Sequence, residues 1–309
     1  MELHFTIHGV SIAVLTKENG FGDFVKNYLR GFESSPVSEP DCKIVASFLP
    51  GYKKTFDNDQ YAPQTLGSGL GWDAGNNTLY ISQKEISARI TLTSPWHVEA
   101  SFQKNFFRHT ANKLFFSGSK TQTNYYRSVT RLLLQNIAFI HLAQRWGIVP
   151  ISAAAIKIGN RAHIFVGLPG SGKSTLVQKI RQEAKAEIIA ENFVLTDGER
   201  IFPFPEGNSS DISACAINTV HIITHGEKFS SYEMPKEQTY HSILSINSLT
   251  GELPEQGPFG SLLLIDPTRW QFMHDNDHET IKKLCERHNC QRLVVDPGAD
   301  LALKQIMEL

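Results

Sequence analysis

The chain has 309 residues, 41% of them hydrophobic, with 30 basic side chains against 31 acidic ones. That length holds one large domain or two modest ones, and the near-cancelling charge argues against nucleic-acid and anionic-membrane partners. No apolar run approaches the roughly 18 residues that span a bilayer, the start Met1-Glu2-Leu3-His4 lacks signal-peptide character, and Cys42, Cys215, Cys285 and Cys290 are too scattered for a disulfide framework, so a reducing cytoplasm is expected.

Residues 3–16 read as two strands around a turn at His8-Gly9, and Phe21, Phe24, Val25, Tyr28 and Leu29 recur at helical spacing. Residues 43–49 are an apolar run. The stretch from Gly51 to Asn77 is polar and rich in Gly, Asp and Asn, which predicts a long loop. Its Gly67-Ser68-Gly69-Leu70-Gly71 follows no strand and opens no helix, so it reads as loop rather than nucleotide fingerprint. Strands are expected near 78–82, 87–93 and 97–103. The first ~115 residues therefore form an α+β unit, and the domain boundary is placed between 118 and 119. Tyr125 to Trp146 carries a broad apolar face (Val129, Leu132, Leu133, Ile137, Ile140, Leu142), and Gly147 ends it.

Strands at 151–158 and 162–166 lead into Gly167-Leu168-Pro169-Gly170-Ser171-Gly172-Lys173-Ser174-Thr175. This fits G-x-x-x-x-G-K-[ST], the phosphate-loop pattern, with nothing missing. Its glycines let successive N–H groups turn inward around an anion. Lys173 reaches β- and γ-phosphates, the Ser174 hydroxyl ligates Mg²⁺, and the helix expected over Ser174–Lys185 aims its positive end at the same anion. Thr175 caps that helix or touches the α-phosphate. The nucleotide-binding residues are thus Gly167, Pro169, Gly170, Ser171, Gly172, Lys173, Ser174 and Thr175.

Further along, Glu187 to Leu195 reads as a strand, Thr196-Asp197-Gly198-Glu199 as a tight turn and Arg200 to Phe204 as its return. Strands are expected at 218–224, 242–246, 261–265 and 292–295, a helix at about 278–288 and a short one from Leu301. Leu262-Leu263-Leu264-Ile265-Asp266 has the form of a second nucleotide-site strand, with Asp266 as a metal ligand or as the opening of a turn. Arg200, Arg269 and Lys228 are candidates to neutralise a phosphoryl group, unranked by sequence. His274, His278, Cys285, His288 and Cys290 fit no standard structural zinc spacing, and Cys285 is expected to face a core. His221 and His225 read as surface or internally satisfied residues.

The segment Glu187 to Leu195, its hairpin, Pro203-Phe204-Pro205 and the upstream Gly147-Ile148-Val149-Pro150-Ile151-Ser152-Ala153-Ala154-Ala155-Ile156 together resemble the HPr serine kinase/phosphorylase family over roughly residues 120–270. The resemblance implies an α/β, phosphate-loop kinase-like nucleotide-binding domain with a mixed sheet over 119–309, behind a smaller α+β recognition domain over 1–118. It implies ATP and Mg²⁺, transfer of the γ-phosphoryl group to a hydroxyl of a peptide, protein or small molecule, and assembly into a homo-oligomer. The absence of an Asn-Lys-x-Asp stretch favours ATP over GTP. Two positions depart from the family pattern. Glu191-Asn192 stands where the family has Asp-Asp, and Ser152 where it has His. The resemblance assigns Glu191 to one of the acidic pair's jobs, general base or metal ligand, where it would otherwise be a solvated residue at a strand-to-turn junction, with Lys173 stabilising charge; Asn192 orients water or metal but cannot ionise. Ser152 contacts a phosphate or the acceptor, or packs between two strands. The alternative is a nucleotide-binding or slow ATPase module that regulates partner binding without kinase activity.

Overall fold

The computed structural model describes residues 1–49, 64–67, 69–83, 86–103, 118–184, 186–204, 212–227, 229–250, 253–254 and 258–295. The fold is mixed α/β with two mixed sheets. It divides into two compact units, Met1–Ala138 with Gly257–Thr268, and Phe139–Gln256 with Arg269–Leu309. The sequence had placed the boundary at 118/119.

In the first unit, β1 (Glu2–Ile7) and β2 (Val10–Thr16) form a hairpin whose turn holds His8 and Gly9 at positive φ. Helix α1 (Asn19–Tyr28) buries Phe21, Gly22, Val25 and Tyr28. Strand β3 (Cys42–Leu49) follows, then β4 (Gln64–Gly67), β5 (Leu70–Asp73), β6 (Thr78–Gln83), β7 (Ile86–Thr91) and β8 (Trp96–Gln103). The sheet order is β1-β2-β3-β8-β7-β6-β5-β4, parallel at β2–β3 and β3–β8 and antiparallel elsewhere. The loop expected over 51–77 is thus interrupted by a hairpin: β4 and β5 pair antiparallel across the glycine-rich stretch. Gly and polar residues hid these strands, because they lack the alternation that marks one. Residues 50–63 lie outside the described residues.

Helix α2 (Gly118–Thr130) runs through a π-turn, Arg131–Gln135, into α3 (Asn136–Trp146). Within the first unit, the Tyr126 hydroxyl donates to Glu18 Oε1 at 2.9 Å and the Tyr28 hydroxyl to Gln135 Oε1 at 2.8 Å. Both phenols thereby satisfy their polar ends while their rings pack.

The second unit is built on β9 (Val149–Ile158) and β10 (Arg161–Val166), an antiparallel pair. Helix α4 (Lys173–Ala184) follows the Gly167–Gly172 turn. Then come β11 (Glu187–Ala190), β12 (Phe193–Thr196), β13 (Arg200–Phe202), β14 (Cys215–His225), β15 (Ser230–Glu233) and α5 (Lys236–Thr250). Helix α6 (Ser261–Ile265), which belongs to the first unit, precedes α7 (Pro267–Arg287) and β16 (Asn289–Val295). The sheet path is β10-β9-β12-β13-β14-β16-β15, with β11 also on β9 and β10 also parallel to β14. Strands β9, β12, β13, β14 and β10 therefore form a closed circuit of pairings. Ala216 of β14 pairs with Arg161 on one side and Arg200 on the other.

Helices cover both faces of this sheet. Leu176, Val177 and Ile180 of α4 pack with Phe165, Ile156 and Ile188. Ile243 of α5 and Ile281 and Leu284 of α7 pack on the other face with Ile164, Val166 and Val220. Each fully buried aliphatic side chain contributes roughly 1.5–3 kcal/mol relative to exposure. Strand β10 is buried from both sides and so reads as a continuous apolar run rather than an alternating one.

Three expected strands differ from the structure. Residues 242–246 lie in α5 and 261–265 are α6. The single strand expected over 187–195 is two strands, β11 and β12, broken at Glu191-Asn192. The helix expected at 278–288 begins earlier, at Pro267. The helix expected from Leu301 lies outside the described residues. Among the described residues no helix is long and apolar enough to cross a membrane.

Candidate functional site

The Gly167–Thr175 turn joins the end of β10 to the start of α4. Gly167 makes a close approach: a Cβ there would collide with Ser171 Oγ. Gly170 and Gly172 hold φ of +82° and +83°, the left-handed region that glycine enters without a Cβ penalty. The Ser171 N–H closes the turn onto Leu168 O at 3.0 Å. Lys173 is largely buried and donates through Nζ to the carbonyls of Gly167 at 2.6 Å and Leu168 at 2.9 Å. An ammonium held inside the turn needs acceptors, and these carbonyl oxygens supply them. Ser171 Oγ is buried without a partner among the described residues. Ser174 and Thr175 are exposed, on the first turn of α4, whose N–H groups have no acceptor within the helix.

The acidic step sits beside this turn. Strand β9 aligns Ala153 with Val166, the last residue of β10, and the Ala153 N–H donates to Asn192 O at 3.2 Å. Val166, Ala153 and Asn192 thus form one row across neighbouring strands, spaced about 4.8 Å apart, which puts Asn192 roughly 10 Å from the strand end that carries the turn. The break between β11 and β12 supplies Glu191 and Asn192, both half-buried. Gln178 of α4 donates from Nε2 to Glu191 Oε1 at 3.0 Å. The helix that opens at Lys173 is therefore joined directly to the acidic residue thirteen positions beyond Gln178. Ser152 is buried, pairs with Phe193 in register, and donates its N–H to Asn247 Oδ1 of α5 at 3.0 Å.

Strand β14 runs parallel to β10 with Val166 opposite Ile222, so His225 lies at the same end as the turn. A Cβ on Gly172 would be 3.9 Å from His225 Cε1. The sequence reads His225 as a surface or internally satisfied residue; its place at this end, three residues past Ile222, is revealed only by register. His221 is different: it is fully buried, stacked on Phe165 at 4.9 Å and on His163 at 5.6 Å. Burial, reinforced by the His163 ring, lowers it to about 3.

Other candidates are placed elsewhere. Arg200 is opposite Ala216, which is opposite Arg161, at the far end of β10; six residues of strand put it about 17 Å from the turn. It is paired with Asp197 at 2.8 Å. Arg269 lies over the Trp270 ring at 4.9 Å. Lys228 and Pro205 lie outside the described residues. Asp266 does not end a strand: residues 261–265 are helical, and the Asp266 N–H closes that helix onto Leu262 O at 3.1 Å. The strand that would have aimed its carboxylate at a metal is absent from this segment. The His/Cys set does not converge on one point among the described residues. Cys285 and Cys290 are buried, and His288 Nε2 lies 3.1 Å from Gly198 O.

No group of three or more His, Cys, Asp or Glu side chains is placed to hold a metal among the described residues. Mg²⁺ does not need one. It is usually held by one or two carboxylates together with substrate phosphates and water rather than by an all-protein cage. The Ser174 hydroxyl and the second oxygen of Glu191 are hard donors of the right kind, and the donor set fits. No protein-family model matches the chain, and no curated protein matches it.

Proposed function

We propose that this chain is an ATP-dependent kinase in which Gly167–Thr175 grip the triphosphate and Glu191 faces the acceptor hydroxyl. The observation that carries this reading is the Gln178–Glu191 hydrogen bond, which ties the helix behind the glycine turn to the acidic break between β11 and β12. Phosphoryl transfer depends on positioning and charge neutralisation more than on covalent chemistry by the protein. Here the N–H groups of the turn and the first turn of α4 would receive β- and γ-phosphate oxygens. Lys173 would exchange the carbonyls of Gly167 and Leu168 for those oxygens, gaining charge-assisted hydrogen bonds. Mg²⁺, when bound, would supply neutralisation of developing phosphate charge, with Ser174 as its protein ligand beside the phosphates and water. Glu191 would accept the hydroxyl proton, and Asn192, which cannot ionise, would orient the acceptor or a water.

Two variants separate binding from transfer. Lys173→Ala removes a charge-assisted contact worth about 1.5–3 kcal/mol, so ATP affinity measured by calorimetry should fall roughly 10- to 100-fold. Glu191→Gln should leave that affinity unchanged and slow transfer from γ-labelled ATP by about 10²–10⁴-fold, the usual contribution of a positioned base. A Glu191→Gln protein with full transfer activity sinks the assignment of Glu191.

A second reading is favoured by the same bond. One Glu191 oxygen is already engaged by Gln178, and the neighbouring position carries an amide rather than a second acid. A nucleotide-binding or slow ATPase module would need no more than this. Label released as free phosphate, with none on any acceptor, selects it.

A further inference from the structure

The histidines of α7 were set aside as a zinc cluster together with Cys285, His288 and Cys290, and the structure separates them from that set. His274 and His278 are one helical turn apart, with ring centroids 4.2 Å apart and planes tilted by 35°. His278 has an oxygen within hydrogen-bond distance of Nδ1, and His274 has a carboxylate nearby. The Tyr240 hydroxyl of α5 lies 2.5 Å from His278 Nδ1, and Asp275 Oδ1 lies 3.7 Å from His274 Nδ1. Asp275 Oδ1 is itself held by Gln271 Nε2 at 3.0 Å. The Tyr240 hydroxyl occupies Nδ1 of His278; in the tautomer that donates Nδ1–H to that oxygen, the lone pair left to bind is on Nε2.

That is the arrangement metal-binding histidines adopt: the far nitrogen is fixed by an oxygen, which sets the tautomer and holds the ring. Metal–nitrogen bonds of about 2.0–2.1 Å place two ligating nitrogens about 3–3.4 Å apart on one ion, and rings 4.2 Å apart at their centroids can meet that spacing. Half of the His274 side chain is exposed, so an ion has access from solvent.

We propose that His274 and His278 form a two-nitrogen site for a divalent transition-metal ion of the Cu²⁺, Ni²⁺ or Zn²⁺ class, with water completing the coordination. Tyr240 is the positioning residue, and because it sits on α5, an ion on His278 ties α5 to α7. The site is independent of the glycine turn and of any reading of it. Imidazole donors select this class over Mg²⁺, and affinity should follow Zn²⁺ < Cu²⁺ and Ni²⁺ < Cu²⁺.

The test is calorimetric titration of the full chain, stripped with chelator, with ZnCl₂, NiCl₂, CuCl₂ and MgCl₂ separately. One transition-metal ion per chain at micromolar concentration is expected, with no heat from MgCl₂. His274→Ala and His278→Ala should each weaken binding at least about tenfold, since each removes one of two ligands. Both should melt like the parent chain in chelator, because neither ring is in the core. Tyr240→Phe should keep the stoichiometry and weaken affinity by about tenfold, the effect of losing an orienting oxygen. ZnCl₂ should raise the melting temperature of the parent chain and leave His274→Ala unmoved. Isotherms for His274→Ala or His278→Ala that superimpose on the parent, or no transition-metal binding by the parent up to millimolar concentration, overturn the site. Tyr240→Phe with parental affinity overturns the orienting role alone.

Discussion

At Gly172 the backbone holds φ of +83°, and among the described residues the only atom near an added Cβ is His225 Cε1 at 3.9 Å. Gly172→Ala therefore tests conformation rather than packing. It should destabilise the chain by about 1–3 kcal/mol in urea unfolding, the cost of a non-glycine residue in a sparsely populated region. On the proposed reading it should also weaken ATP binding measured by calorimetry, because the turn must change to relieve the strain. His221 gives a second measurement at this scale. Its folded value, about 3, lies below the ordinary imidazole value of ~6.5. The unfolded chain thus binds the proton more readily, so the contribution of His221 is complete above pH ~6.5 and is lost as pH falls from there towards 3. The slope approaches about 1.4 kcal/mol per pH unit within that window. His163, lowered by burial, acts in the same direction. His221→Phe keeps a ring in the stack and should flatten the unfolding free energy between pH 6.5 and 4.5; an unchanged slope assigns the pH dependence to other groups. The glycine turn was legible because each position demands one residue type. The Gln178–Glu191 bond was not, because it depends on how far β11 and α4 run before they meet.

Among the elements, α5 shows how a buried amide supports a strand. Asn247 accepts from the Ser152 N–H and donates through Nδ2 to Pro150 O at 3.4 Å. It therefore satisfies β9 where the strand passes the break between β11 and β12. Asn247→Ala strands a buried N–H and should cost about 1–3 kcal/mol in chemical denaturation. Asn247→Asp keeps an acceptor, but at the price of burying a charge, so both variants should be less stable than the parent. The same residue explains a misreading. The buried face of α5 is Thr239, Ile243 and Asn247, spaced by four, and two of the three are polar. With no apolar stripe to mark the helix, Ile243, Leu244 and Ile246 alone suggest a strand. Helix α6 fails for the opposite reason. Its run Leu262-Leu263-Leu264-Ile265 is apolar throughout, although Leu264 is 80% exposed, and a short apolar run does not distinguish strand from helix. Helix α1 and the β12–β13 hairpin were readable, since α1 has its stripe and the β12–β13 turn has Gly198 at φ +85° with Asp197 Oδ1 accepting from the N–H groups of Glu199 and Arg200.

At the scale of the molecule, the two units are built on different sheet plans, each mixed in direction. The order of strands in either was beyond the reach of local pattern, because β3 pairs with β8 and β10 pairs with β14 across long stretches of chain. The first unit's sheet ends at β1 and β4; the second unit's pairings close on themselves through β9, β10, β14, β13 and β12. A strand in such a ring has a partner on each side, and none of the five can fray from an edge alone. Amide protons of Ala162 to Val166 should therefore exchange with deuterium only through unfolding of the whole unit, at a free energy equal to its global stability. Those of β4 and β5, at one margin of the other sheet, should exchange through smaller openings. The glycine turn inherits this protection at its β10 end, so its geometry should survive the small excursions that loosen ordinary loops, and a phosphate would meet it already shaped.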